Sequence, residues 1–369
     1  MNSPKNVPKY LLLTITAIVV GLCAFQFSLR VKPGLLEYAD ASGKLRPVKT
    51  QEDWQKKRNQ ILDGMQLAMG KLPETKSLPT PEIEVLQSEK LNGFTRQKIR
   101  FLGAPNEYVH ALLYIPDPVK PNEKFPAMLV LHGTGEKGKW LVDSSQANQN
   151  RAVATELAYR RYVVIAPDYP SFGDLTDHNF DTDRYESATM QAIFNHIRCI
   201  DLLQSLKQTH SDKIGVIGHS LGGHNAMFVG AFDTRLKVIV ASCGWTPFAY
   251  YNAGKAVTER FGGALGAWAQ DRYMPLLRDK FKLNHELFPF DFDEIITTLA
   301  PRTFFTNSPI NDSNFNVEGV KTGIKAASEV YKFLNAEHNL IARYPDAQHD
   351  FPEVARFEAY EVIDRILKP

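Results

Sequence analysis

The chain has 369 residues, 44% hydrophobic and 23% charged, which suits one large buried core and excludes a chain disordered throughout. A formal net charge of +2 without a Lys/Arg-rich tract leaves no electrostatic footprint for nucleic acid, so none is expected as a partner. The three cysteines, Cys23, Cys199 and Cys243, sit in apolar stretches without CxxC spacing, so neither a disulfide framework nor a cysteine metal site is expected.

The run from Tyr10 to Leu29 is uncharged and mostly apolar, follows Lys5 and Lys9, and is long enough for a hydrocarbon core of roughly 30 Å. Export is therefore expected, with 1–34 as a signal or anchor segment and 35–369 as one domain. If the run is uncleaved, it holds the protein to the membrane; if it is cleaved, the protein is secreted to the cell envelope. No small-x-small cleavage site stands out, which favours the anchor. Residues 30–50, with Pro33, Gly34 and Pro47, read as a linker.

Helical spacing follows over 52–69 through Trp54, Ile61, Leu62, Met65 and Ala68, with Thr50 and Asp53 placed to cap its start and Gly70 to stop it. Alternating segments at 83–86, 96–101 and 108–115, divided by Asn92-Gly93 and by 103–106, predict antiparallel strands that open a sheet. From Phe125 onward, apolar strands are expected at 127–131, 162–166, 214–217, 238–241, 303–306 and 340–344. Helical patterns lie between them, through Met190, Ile193, Ile197 and Ile200, through Val330, Phe333 and Leu334, and over 354–367. This alternation predicts an α/β fold with a mainly parallel sheet, helices on both faces, and functional residues at the carboxyl ends of the strands. The stretch 244–300 exceeds a simple connection and carries Trp245, Phe248, Tyr250, Tyr251, Trp268 and Tyr273. It is expected to be an aromatic-rich, cap-like insertion before the acid-bearing strand; the alternative is that these rings are ordinary core.

Gly218-His219-Ser220-Leu221-Gly222 follows a buried strand and precedes a helical stretch, which places Ser220 on a sharp strand-to-helix elbow. A serine hydroxyl attacks poorly at neutral pH. An elbow exposes it to a histidine base and turns the next backbone N–H, that of Leu221, toward a developing oxyanion. Glycines flank it because a Cβ there would meet the neighbouring strand and helix. The remaining parts are expected in the chain order Ser, Asp, His. Asp312 follows the strand at 303–306 and His349 the strand at 340–344, so both fall on the carboxyl edge. His349 would act as general base and Asp312 would orient it. His338 precedes its strand, His219 and His224 are local to the elbow, and Asp346 and Asp350 read as loop carboxylates. The second oxyanion donor is expected at Gly133 or Thr134, just after the strand at 127–131. Gly133, Gly135 and Gly138 also spell GxGxxG ahead of Lys139, a pattern that suggests a phosphate cradle. With no helix expected directly behind Gly138, it is set aside, and no cofactor or metal is expected.

These motifs, together with Ala166-Pro167-Asp168-Tyr169-Pro170-Ser171-Phe172-Gly173 and His349-Asp350-Phe351-Pro352, resemble the alpha/beta hydrolase superfamily, specifically its dienelactone hydrolase-like and acetyl xylan esterase-like branch. The resemblance runs from about Trp54 to Leu367. It implies a carboxylic ester hydrolase working through Ser220, Asp312 and His349. Ser220 stands where dienelactone hydrolases themselves use cysteine, so activity on dienelactone is not implied. The expected substrate is a small or carbohydrate-linked ester. An exported peptidase of prolyl-peptidase type and a non-catalytic envelope binding protein are the alternatives, and the oligomeric state is left open.

Overall fold

The structure is a computed structural model that describes residues 33–368 except 76 and 183. The run from Tyr10 to Leu29 and Cys23 lie outside the described residues. Among the described residues, no helix is long and apolar enough to cross a membrane.

The stretch read as a linker contains a hairpin. β1 (Glu37–Ala39) pairs antiparallel with β2 (Leu45–Pro47) across a turn in which the Asp40 carboxylate accepts from the Ser42 and Lys44 backbone N–H groups. Strands of three residues are too short to show alternation, so the sequence pattern misses them. Gln60 fastens the hairpin to α1 (Gln51–Met69) by bonding both the N–H and the carbonyl of Ala39. α1 begins with a capping box formed by Thr50 and Asp53 and ends at Gly70, whose φ of 92° favours a residue without Cβ.

β3 (Glu84–Leu91), β4 (Phe94–Ala104) and β5 (Glu107–Pro116) form the expected antiparallel opening, with Gly93 and Asn106 at positive φ in the two turns. The parallel part comprises β6 (Phe125–Leu131), β7 (Val163–Pro167), β8 (Thr209–His219), β9 (Leu236–Ser242), β10 (Thr303–Asn307) and β11 (Leu340–Arg343). These nine strands make one sheet in the order β11-β10-β9-β8-β6-β7-β5-β4-β3.

Both faces of the sheet are covered, which explains why its central strands read as unbroken apolar runs. In β6, Ala127, Leu129 and Leu131 point into one core and Met128 and Val130 into the other. α1, α3 (Ala188–Ser205), α4 (Leu221–Phe232) and α8 (Val317–Phe333) contribute to the first core, and α2 (Val153–Tyr159) and α9 (Glu353–Leu367) to the second. The 244–300 stretch holds α5 (Lys255–Phe261), α6 (Leu276–Asp279) and α7 (Phe292–Leu299). Many of its rings are core: Trp245, Phe248, Trp268, Phe288, Phe290 and Phe292 are buried in the first cluster.

The register sets where chemistry can occur. Gly218 pairs with Leu131 and with Ala241, and His219, Ser242, Asn307 and Arg343 form one row across four parallel strands. The loops that carry Gly133, Ser220, Asp312 and His349 therefore all leave the same rim.

Candidate active site

Ser220 adopts φ 56° and ψ −118°, a region that a non-glycine residue occupies only under constraint. Its N–H donates to the Ser242 carbonyl at 2.8 Å, and its own carbonyl accepts from Gly223 N–H at 2.8 Å. Close backbone packing supplies the rest of the constraint. A Cβ on Gly218 would lie 2.1 Å from the Gly222 carbonyl oxygen, and one on Gly222 would lie 2.0 Å from the Leu131 carbonyl oxygen. A further glycine contact, not anticipated from the pentapeptide, joins Gly223 to Gly244: a Cβ on either would come within 2.9 Å of the other's backbone. The elbow is thus pressed between β6 and the chain leaving β9. Leu221 opens α4, where a backbone N–H has no intrahelical partner.

His349 and Asp312 meet as expected. His349 Nδ1 lies 3.0 Å and 2.9 Å from the two Asp312 carboxylate oxygens. The Asp312 side chain is 1% exposed and also accepts from Asn314 N–H at 2.8 Å, which fixes its orientation. A carboxylate can only accept, so Nδ1 carries the proton and Nε2 keeps its lone pair. His349 and Ser220 line one cavity of about 330 Å³ together with Gly133 and Thr134. A Cβ on Gly133 would sit 3.7 Å from Ser220 Cβ, so that loop runs directly beside Ser220.

The competing residues are engaged elsewhere. Asp346 accepts from the Asn311 side chain and Asp350 is paired with Arg151. His224 bonds the Gly244 carbonyl, and burial pushes its pKa down to about 3. His219 bonds Ser242 Oγ at 3.0 Å; burial, then the Arg151 charge, hold it well below the usual imidazole range and keep it neutral. The ligand-type atoms of Cys243, Asp312 and His349 lie within 4.8 Å of one another. Burial, reinforced by the Asp312 charge, pushes the Cys243 thiol well above its usual range, and the thiol donates to the Asp350 carbonyl.

GxGxxG proves to be a cradle for a side chain. Lys139 is fully buried; its Nζ reaches Asp168 at 2.5 Å and its N–H reaches the same carboxylate at 2.8 Å. Gly138 and Gly173 have positive φ, and a Cβ on either would lie within 2.2 Å of Asp168 Oδ1. A single 3-10 turn at Gly138–Val142, not a full helix, follows the glycines. The loop after β6 is joined to the loop after β7 a second time through His132. Its Nε2 accepts from Tyr169 N–H at 3.0 Å, which leaves Nδ1–H to donate to the Gly133 carbonyl at 2.7 Å. Lys139→Met should lower stability by about 3–5 kcal/mol, because it strands a buried carboxylate. Urea unfolding of the variant checks this, and a loss under about 1 kcal/mol would refute the buried pair.

Asn148 and Arg151, which sequence patterns did not mark, also line the cavity, as does Asn314 beside Asp312. They lie in irregular loops with no periodicity to read. From the 244–300 stretch, Tyr273 O–H and the Thr134 hydroxyl are 3.1 Å apart, and Trp268 and Tyr251 pack against Phe315, whose ring centroid is 5.9 Å from that of His349.

Comparison with known proteins bears on the fold and the class of enzyme. A protein-family profile described as "Glucuronyl esterase, fungi" matches residues 179–335, and one described as "Putative esterase" matches residues 103–243. The chain is 28% identical over 237 residues, 61% of its length and 73% of the other's, to "Putative hydrolase YtaP" of Bacillus subtilis (strain 168). Among solved structures, a glucuronoyl esterase from Solibacter usitatus has a TM-score of 0.66 at 20% identity, covering 92% of this chain and 98% of its own. A carbohydrate esterase family 15 glucuronoyl esterase from Caldicellulosiruptor kristjansonii also has a TM-score of 0.66 at 20% identity, over 93% and 92%. The resemblance inferred from the motifs holds. The chain shares the alpha/beta hydrolase fold of these solved esterases, and with the two esterase profiles it matches, it is a hydrolytic enzyme of the carboxylesterase kind.

Proposed function

We propose that the protein is a serine esterase acting through an acyl-enzyme on small or carbohydrate-linked esters. The observation that carries this reading is the His349–Asp312 hydrogen bond on the same strand rim as Ser220, which sits on a constrained elbow and shares one cavity with His349. Ser220 Oγ forms a bond to the ester carbonyl carbon as its proton passes to His349 Nε2, and Asp312 stabilises the imidazolium. The oxyanion receives the Leu221 N–H and an N–H from Gly133 or Thr134. His349 then protonates the departing alkoxide as the carbon–oxygen bond breaks. A water, deprotonated by His349, attacks the acyl-serine; the acid leaves and the Ser220 hydroxyl is restored.

The cavity size suits one small group, and its wall of Leu131, Leu141, Val142 and Phe351 is apolar while Asn148 and Asn314 offer amides. Carbohydrate esters are favoured because a similar protein is named "Carbohydrate esterase MZ0003", 26% identical over 125 residues. Segment 244–300 would flank this site as a cap. Residues 1–34 would direct export; recovery of the full-length chain only from the cytoplasmic fraction would refute that.

The test is a substrate panel: p-nitrophenyl acetate, an acetylated xyloside, the methyl ester of a glucuronoside, and a dipeptide anilide. Esters should be turned over at least about a hundredfold faster than the anilide. Preference for the anilide would favour a peptidase, and the absence of turnover across the panel would favour a binding protein.

A further inference from the structure

We propose that Arg151, paired with Asp350, is a positioning residue that holds the backbone of the general base and tunes its charge environment. The proposal rests on the assignment of His349 as base. His349 is gripped at both ends. Its ring is bonded to Asp312, while its backbone carbonyl accepts from Arg151 Nη2 at 2.9 Å. Arg151 Nη1 reaches Asp350 Oδ1 at 2.5 Å, and Asn150 Nδ2 reaches Asp350 Oδ2 at 2.8 Å, so the residue after His349 is clamped by the same loop. From the other side, Asn307 Nδ2 and Cys243 Sγ both donate to the Asp350 carbonyl. The loop bearing Arg151 is itself anchored to α9: Arg356 bonds Asn150 Oδ1 and the Glu156 carboxylate. An imidazole that must accept and return a proton within a narrow geometry gains from such a frame, since a misplacement of about 1 Å can cost about a hundredfold in rate.

The pair also acts through its charges. The titratable groups facing His349 are Asp312, Cys243, His219, Arg151 and Asp350. Burial keeps the Cys243 thiol and the His219 ring neutral. Burial opposes ionisation of Asp350, but its bonds from Arg151 and Asn150 outweigh this and hold its carboxyl below the usual range. Among the described residues, Arg151 and Asp350 thus add one cation and one anion beside His349, apart from Asp312. Removing the cation favours the imidazolium and removing the anion disfavours it.

The experiment measures kcat, KM and the pH–rate profile for wild type, Arg151→Met, Arg151→Lys and Asp350→Asn with p-nitrophenyl acetate. Arg151→Met should lower kcat by about tenfold or more with KM changed less than about threefold, and should move the acidic limb upward by on the order of half a pH unit. Asp350→Asn should move that limb downward, and Arg151→Lys should restore its position while recovering only part of kcat. If Arg151→Met does not fold, an unmoved limb with reduced kcat in Arg151→Lys, set against a lowered limb in Asp350→Asn, carries the test. Shifts in the same direction, or an Arg151→Met enzyme within twofold of wild type, would overturn the proposal. Retention of activity by a His349→Ala control would instead show that the underlying base assignment fails.

Discussion

Replacing Ser220 with alanine should lower kcat by about 10⁵-fold or more and abolish labelling by a fluorophosphonate, while the folded protein still binds ester. In the proposed mechanism the size of this loss follows from the covalent step: without Oγ no acyl-enzyme would form, and only polarisation of the carbonyl by backbone donors would remain. Alanine is tolerated sterically because Ser220 holds its backbone through its own N–H and carbonyl rather than through the hydroxyl. Turnover and labelling are measured on the same preparation, with circular dichroism as the folding control. Labelling that persists in the variant would place the nucleophile elsewhere.

Asp312→Asn should cost about 10³ to 10⁴ in kcat with little change in KM. The carboxylate accepts the Nδ1 proton with both oxygens and is itself bonded by Asn314 N–H. An amide offers one acceptor and one donor, so an NH₂ turned toward Nδ1 selects the tautomer in which Nε2 carries the proton and cannot accept one. The exposed Asp346, bonded to Asn311, serves as the comparison, and its Asn variant should keep near wild-type rates. Equal losses in the two variants would remove Asp312 from the proposed mechanism.

The fold was legible in the sequence wherever burial on both faces left its imprint. The strands expected at 127–131, 214–217, 238–241 and 303–306 all lie within observed strands because central parallel strands are apolar along their whole length. Asp312 and His349 were reachable because chain order and the end of each strand fix the rim on which a loop emerges. What escaped detection depends on contacts between distant segments. Arg151 acquires its role from Asp350, 199 positions later, and nothing in its neighbours announces this. The hairpin at β1 and β2 is too short for periodicity. The glycines near Lys139 reported correctly that something occupies the space beside the backbone, but local sequence does not reveal that it is the carboxylate of Asp168.

That sequestered contact between Lys139 and Asp168 also bears on the effect of salt. Because neither side chain meets solvent, dissolved ions screen the attraction far less than they screen a surface pair, so the tie that holds the loop with Gly133 and Thr134 should weaken little with added salt. A donor proposed at Gly133 or Thr134 would thus be oriented by folding, ahead of any ester.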